Sequence, residues 1–369
     1  MFLKILGFFG GIFSGIFQKA GETVGEEIGK EVTDKAKGMR FTPKMKRKIR
    51  LIVCACVLLF GFSYFLYCGL QFKWTLENGI LTLETGFLKN KMPAYRFEQP
   101  HEPTGTDTET YPLFVSFFPW FSRKEEITHI ILPDGLTNIS PAAFAGCVNL
   151  EEIHIPESLT TIGAYAFNDC SSLEHIFLPS SISSIGEYAF NQCHNLKEVK
   201  RASGAITDKK ADGIKSWAFR HCENLELVVL PTNVSYIGTY AFENCANLPR
   251  ITIPKSVTRI ENCAFYGCAH LINVSMEGNV TYIGSEAFYG CSSLPEMPIP
   301  DSVTYIGSYA FRGCSSLISV SIPDSVTQIR NGTFWGCSSL KHASVPAYVE
   351  IGMGAFPAET VVRRRYGNE

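Results

Sequence analysis

The chain has little net charge of either sign. Its 33 Lys and Arg stand against 35 Asp and Glu, for a formal charge of −2, and charged residues make up only 18 % of it. A nucleic-acid binder normally shows a concentrated basic face, so this balance argues against one. Catalytic signatures are missing as well. There is no Ser-centred nucleophile elbow, HExxH pair, P-loop or GxGxxG run, and no paired carboxylates occur outside variable positions. The sequence therefore predicts neither an enzyme nor a cofactor. No LPxTG-like sorting motif lies near the C-terminus, and the Tyr67-Cys68 step lacks the small residue that lipoprotein processing prefers. Fifty residues precede the apolar run, which argues against a cleaved secretory signal.

Long apolar runs are scarce, but Leu51 to Leu70 is one, LIVCACVLLFGFSYFLYCGL. Twenty uncharged residues suffice to cross ~30 Å of hydrocarbon as a helix. Lys44, Lys46, Arg47, Lys48 and Arg50 precede it, whereas Lys73 stands almost alone behind it, followed by Glu77 and Glu84. The basic flank stays in the cytoplasm, so a single-pass membrane protein is expected, with a cytoplasmic N-terminus and the remainder at the cell surface. A buried core helix is the competing reading. Met1 to Phe17 is a second apolar stretch, broken by Lys4 and four glycines. It suits either the membrane interface or a frayed tail. Gly21 to Gly38 reads as a linker or short helix.

One phrase recurs ten times. Phe144, Phe167, Phe190, Phe219, Phe242, Phe265, Phe288, Phe311, Phe334 and Phe356 are spaced 23 residues apart, save for one interval of 29 and a last of 22. A Cys stands three residues after each of the first nine. A fixed period of this length means a stacked array whose period residues build the core, so binding is sought in residues that vary.

In Leu150 to Cys170, Leu150, Ile153 and Ile155 are expected to point inward, the two Ile on a strand that Pro156 ends. Ser158 to Ile162 is a second extended run. Gly163 is expected to permit the turn, and Ala166-Phe167 to start a helical or 3-10 turn. Before the array, Trp74 to Thr85 alternates around Asn78-Gly79, a hairpin signal. Met92 to Pro112 reads as an exposed loop, and the aromatic FFPWF of 117–121 as cover for the open end of the first repeat.

The phrase [IL]-P-x-S-[VL]-T-x-I-G-x-x-A-F-x-x-C-x-x-L resembles the BspA-type (Treponema-type) leucine-rich repeat family. Ile322 to Thr327 and Phe311 to Leu317 are nearly verbatim. Trp74-Thr75-Leu76, Gly79 and Leu81-Thr82, with Pro119-Trp120, resemble the cap module that precedes such arrays. The resemblance covers Ile127 to Phe356 and implies a surface-exposed recognition module, often adhesive, with no catalytic residues. The expected fold is a β-rich α/β solenoid of about ten 23-residue repeats. The expected segments are 1–50 cytoplasmic, 51–71 transmembrane, 72–126 cap with hairpin and Pro-rich loop, 127–356 solenoid and 357–369 tail.

The thiols recur in a line rather than a cluster, so buried free Cys are favoured over zinc ligands or disulfides. Cys263 takes the place of an aromatic (Tyr165, Tyr188, Trp217, Tyr240, Tyr309) and is expected to be partly exposed. Residues flanking each central strand position should face outward. In the first half these include His129, His154, His175, Phe177, Leu227, Val229 and Arg250; in the second half they are small and polar. The three His do not share one column, so no metal is expected. A ligand face and unselected surface variation explain the asymmetry equally well. A second stripe, Tyr236, Arg259, Tyr282 and Tyr305, is either an interface or a self-stacking ladder. Six extra residues fall within 200–212, as a recognition loop or a neutral insertion.

The favoured function is a membrane-anchored adhesion or binding module. Its partner would be a protein or glycan on host or neighbouring cells. A structural spacer or self-associating stalk is the alternative, and an enzyme is a more distant one.

Overall fold

A computed structural model describes residues 72–85, 92, 118–201 and 212–366. The expected span 51–71, the segments before it, residues 93–117 and most of the insertion in 200–212 lie outside the described residues. Among the described residues no helix is long and apolar enough to cross a membrane.

The array is a β-solenoid of about ten turns. Each turn contributes a two-residue strand to a second face and a strand to a main parallel face, save the turn of Glu296, which joins the main face by a single bridge to Ser319. On the main face Glu152–His154, His175–Leu178 and Glu198–Arg201 succeed one another, with His175 opposite Glu198 and Ile176 opposite Val199. On the second face Thr161–Ile162 pairs with Ser184–Ile185 and with Asn138–Ile139. Inward residues Ile153, Ile162 and Phe167 meet the equivalent residues of the turns on either side in one continuous core. A single turn could not shield these side chains, so stacking and core formation are one event.

The α/β label is not supported, because the described residues contain no α-helix. The segment expected to start a helical or 3-10 turn shows why. Tyr165, Phe167 and Asp169 donate their N–H groups to Glu187, Ala189 and Asn191 of the next repeat, each at 2.8 Å. The N–H groups between them, from Ala166, Asn168 and Cys170, bond back three residues within their own repeat, at 3.1 to 3.3 Å. A helix would direct every donor inside the segment. Here alternate donors build a third ladder between turns.

The alternation requires left-handed backbone twice per repeat, at Tyr165 (φ 58°) and Asp169 (φ 58°) in this one. For residues other than glycine this conformation costs ~1–2 kcal/mol. Gly163 does not supply it. A Cβ there would lie 2.5 Å from the Pro141 nitrogen and 2.7 Å from the Ser140 carbonyl carbon. Glycine is needed at 163 for close stacking on the preceding turn.

The Phe rings form one buried column, with Phe242 5.2 Å from both Phe219 and Phe265. The Cys column runs beside it. Cys170 Sγ donates to the Phe144 carbonyl at 3.3 Å and Cys268 Sγ to the Phe242 carbonyl at 3.2 Å, and the same bond recurs up to Cys337. Cysteine thus fills a small apolar site while satisfying a buried acceptor. All ten described Cys are free and buried. That includes Cys263, which is 7 % exposed rather than partly open as expected, because it lies against Tyr240.

The two ends differ. Phe72–Glu77 and Ile80–Thr85 form an antiparallel hairpin with Asn78 (φ 50°) and Gly79 (φ 81°) in the turn. Its second strand continues the main face, with Ile80 opposite His129. Trp120 stacks 5.8 Å from Phe144, donates Nε1–H to the Ala143 carbonyl at 2.9 Å and is covered by Phe118. At the other end, the segment expected to be only a tail adds a strand. Val361–Arg365 pairs in parallel with His342–Pro346. Arg364 and Arg365 secure it, bonding the Ala347 carbonyl at 2.6 Å and Asp324 at 2.7 Å.

Candidate functional site

The main face carries two outward columns, set by the register. The first runs His129, Glu152, His175, Glu198, Leu227, Arg250 and Asn273, and the second Ile131, His154, Phe177, Lys200, Val229 and Thr252. His129 and His175 therefore share a column with Glu152 between them, and His154 stands in the other. No group of three or more His, Cys, Asp or Glu among the described residues could hold a metal ion.

The first column is tied together by charge. His129 Nε2 lies 3.9 Å from Glu152. His175 sits between carboxylates, Nδ1 at 3.1 Å from Glu198 and Nε2 at 3.6 Å from Glu174. Lys200 reaches Glu198 at 2.5 Å and Lys197 reaches Glu174 at 2.9 Å. The Lys200 hydrogen bond holds the Glu198 carboxyl below its usual range, and the Lys197 bond does the same for Glu174.

The second column alternates the apolar Ile131, Phe177 and Val229 with His154, Lys200 and Thr252. Phe177 is 59 % exposed, Ile131 and Val229 each 43 %. The Lys200 ammonium stands 5.9 Å over the Phe177 ring. Beyond them Leu227 and Arg250 line an open groove of ≈ 530 Å³ with Glu198, Glu226, Asn247, Pro249 and His270. In the second half Ser275, Ser319, Ser321 and Ser344 take outward positions, and the exposed apolar side chains there, Ile272, Ile318 and Val361, stand singly beside them. Chemically, the first half offers rings and methyl groups rimmed by paired charges, which suits burial against a partner.

The stripe on the second face is stacked on itself. Tyr236 covers Gly213, where a Cβ would fall 2.6 Å from the ring. The Arg259 guanidinium lies 3.9 Å over Tyr282 and bonds Glu261 at 2.6 Å. Tyr282 stacks on Tyr305 at 4.6 Å, and Arg330 closes the row 4.6 Å over Tyr305. The rings present edges rather than faces.

A further column went unrecognised in the sequence, one residue after each Phe. Arg220 bonds Glu243 at 2.7 Å, Tyr266 stacks on Tyr289 at 4.5 Å, and Arg312 and Trp335 follow. Reading every repeat at that one position would have found it.

The fold and these faces define a leucine-rich repeat solenoid. The model of the BspA-type leucine-rich repeat region matches residues 119–211 and 212–341, in six copies, and the chain belongs to that family. Among curated proteins none matches. Similar solved structures include leucine-rich repeat proteins from three bacteria. One from Bacteroides ovatus has 21 % identity, 80 % of this chain and 98 % of that chain covered, and a TM-score of 0.33. One from Eubacterium ventriosum has 20 % identity, 77 % and 82 % covered, and 0.41. The T. pallidum protein has 25 % identity, 61 % and 89 % covered, and 0.36. With every score below 0.5, family membership rests on the repeat model.

Proposed function

We propose that the chain is a surface binding module, anchored through residues 51–71, that takes a protein or glycan ligand on the first half of its main face. The exposed apolar side chains Ile131, Phe177 and Val229, one on every second turn among the His175, Glu198 and Lys200 charges, carry this reading. Exposed apolar side chains set among charged and polar ones are a usual make-up of an interaction site. The basic residues before 51–71 support a cytoplasmic N-terminus and an external array.

The test uses the purified full-length chain on beads, presented to host-type and bacterial cells. Phe177→Ser should cut cell capture by about tenfold, the loss of one well-packed hot-spot ring. Ser321→Thr, on the second half of the same face, should leave capture unchanged. Equal capture by all three proteins would remove the face from the binding account and favour a spacer.

A further inference from the structure

We propose that Arg312, with Tyr289, Tyr309 and Trp335, forms a recognition site for a carboxylated sugar, a uronic or sialic acid residue of a glycan. The site lies on the turn side of the array, away from the main face, and stands or falls independently of the function proposed for that face.

The argument begins from two arginines at the same place in the repeat. Arg220 and Arg312 each follow the core Phe of their turns directly. In the next turn Arg220 meets Glu243 and bonds it through Nε at 2.7 Å. In the next turn Arg312 meets Trp335, so a carboxylate is replaced by an indole. Its guanidinium carbon lies 4.7 Å from the Trp335 ring centroid, 5.2 Å from Tyr289 and 5.6 Å from Tyr309. No described carboxylate stands within ion-pair distance of it. Ring faces attract the cation electrostatically but accept none of its in-plane N–H bonds well. The fork is thus held in place on three sides while its donors remain available, the arrangement that suits bidentate capture of a carboxylate.

Trp335 selects what carries the carboxylate. It is 53 % exposed, and it is tilted 38° from Tyr309 rather than lying flat against that ring. By contrast Tyr266 and Tyr289 are parallel within 6°. The Arg312 guanidinium lies over the ring, and the exposed part of the electron-rich indole attracts the slightly positive C–H groups of a pyranose ring beside that cation. An Asp or Glu side chain would satisfy Arg312 but bring no flat group for Trp335. A sugar acid brings both at fixed separation.

Titration calorimetry on the purified full-length chain in detergent tests this with four probes: trigalacturonate, sialyllactose, lactose and a triglutamate peptide. At least one acidic sugar should bind, and which one binds names the source; lactose and triglutamate should bind at least about tenfold more weakly. Arg312→Gln and Trp335→Ala should each weaken the acidic sugar by about tenfold or more. Trp335→Phe keeps a ring face and should retain most of the affinity. Circular dichroism checks that each variant melts as the parent does. Binding of neither acidic sugar overturns the proposal. So does triglutamate binding as tightly as the sugars, which would mark a site for acidic protein, and so does a folded Arg312→Gln that binds the acidic sugar unchanged.

Discussion

Two stacked columns run the length of the array, and only one of them keeps an aromatic ring in every turn. The buried one is unbroken from Phe144 to Phe356, its successive rings 5.1 to 5.6 Å apart. The other lies two residues earlier in each turn. It begins at Ala142, is aromatic through Tyr165, Tyr188, Trp217 and Tyr240, passes to Cys263 and Glu286, returns to Tyr309 and ends on Gly332 and Gly354. The buried ring is confined above, below and sideways, and a core at crystal-like density accepts no other volume. The outer ring is confined only above and below. Columns of the second kind are where one turn can differ from the next, so they are where this molecule can differ from a generic array.

The comparison breaks most completely at high pH. Burial pushes the thiols up, Cys147 and Cys268 to about 12 beside the Phe column and Cys263 to about 11 in the outer column. An unfolded thiol ionises near ~8.5. A folded pKa raised above the unfolded one gives stability that is fully present below about pH 8.5 and is lost as pH rises toward the folded values. The array should therefore unfold between about pH 9 and 12 by circular dichroism. In the same titration a thiol probe should reach Cys263 before the column Cys. A melting temperature that stays level across this range would contradict the burial of the column.

The next largest effect separates the middle of the Phe column from its end. Phe265 touches rings on both sides, whereas Phe356 is half-buried and stacks only on Phe334, at 5.2 Å. Phe265→Ala should cost ~3–5 kcal/mol in urea denaturation and should resolve unfolding into two transitions, because an interior break uncouples the halves. Phe356→Ala should cost visibly less. The reverse order would make the strand Val361–Arg365 and the turn beneath it the limiting element.

The smallest effect sharpens the outer column. Tyr188 has φ 54° and stacks on Tyr165 at 4.7 Å and Trp217 at 4.8 Å. Removing the ring loses both stacks, each worth ~0.5–1.5 kcal/mol. Ala keeps the left-handed strain and Gly relieves it, so Tyr188→Gly should be the more stable variant by about 1 kcal/mol, against the usual preference for Ala. Paired thermal melts of the two variants decide it.

The period, the Phe and Cys columns and the hairpin were legible because each is written as residue type at fixed spacing. The turn was not. Left-handed backbone is ordinarily marked by Gly or Asn, and at Tyr165, Tyr188 and Trp217 the stack and the ladder between turns override that preference. The last strand was hidden for another reason: Val361 to Arg365 carries three consecutive Arg and none of the repeat phrase, and two of those side chains turn back onto carbonyls and Asp324. His129, His154, His175, Phe177, Leu227, Val229 and Arg250 were legible as outward positions from alternation alone. The surroundings of Arg312 were not, because its three rings come from three different turns and only stacking brings them together.

The hairpin at the start of the array has a bearing on how the chain reaches its fold. Away from the insertion, most bonds between turns join residues 22 to 26 apart, as in Thr160 to Thr137 and Cys170 to Phe144. For a protein made of parallel strands this is a very short loop to close, and rates fall as such loops lengthen. The hairpin and Trp120 are synthesised before any repeat and present a finished edge. Each further turn of chain finds its template already in place, so assembly can proceed like a zip drawn from one end. The seam advances one turn at a time, with only its leading edge unpaired.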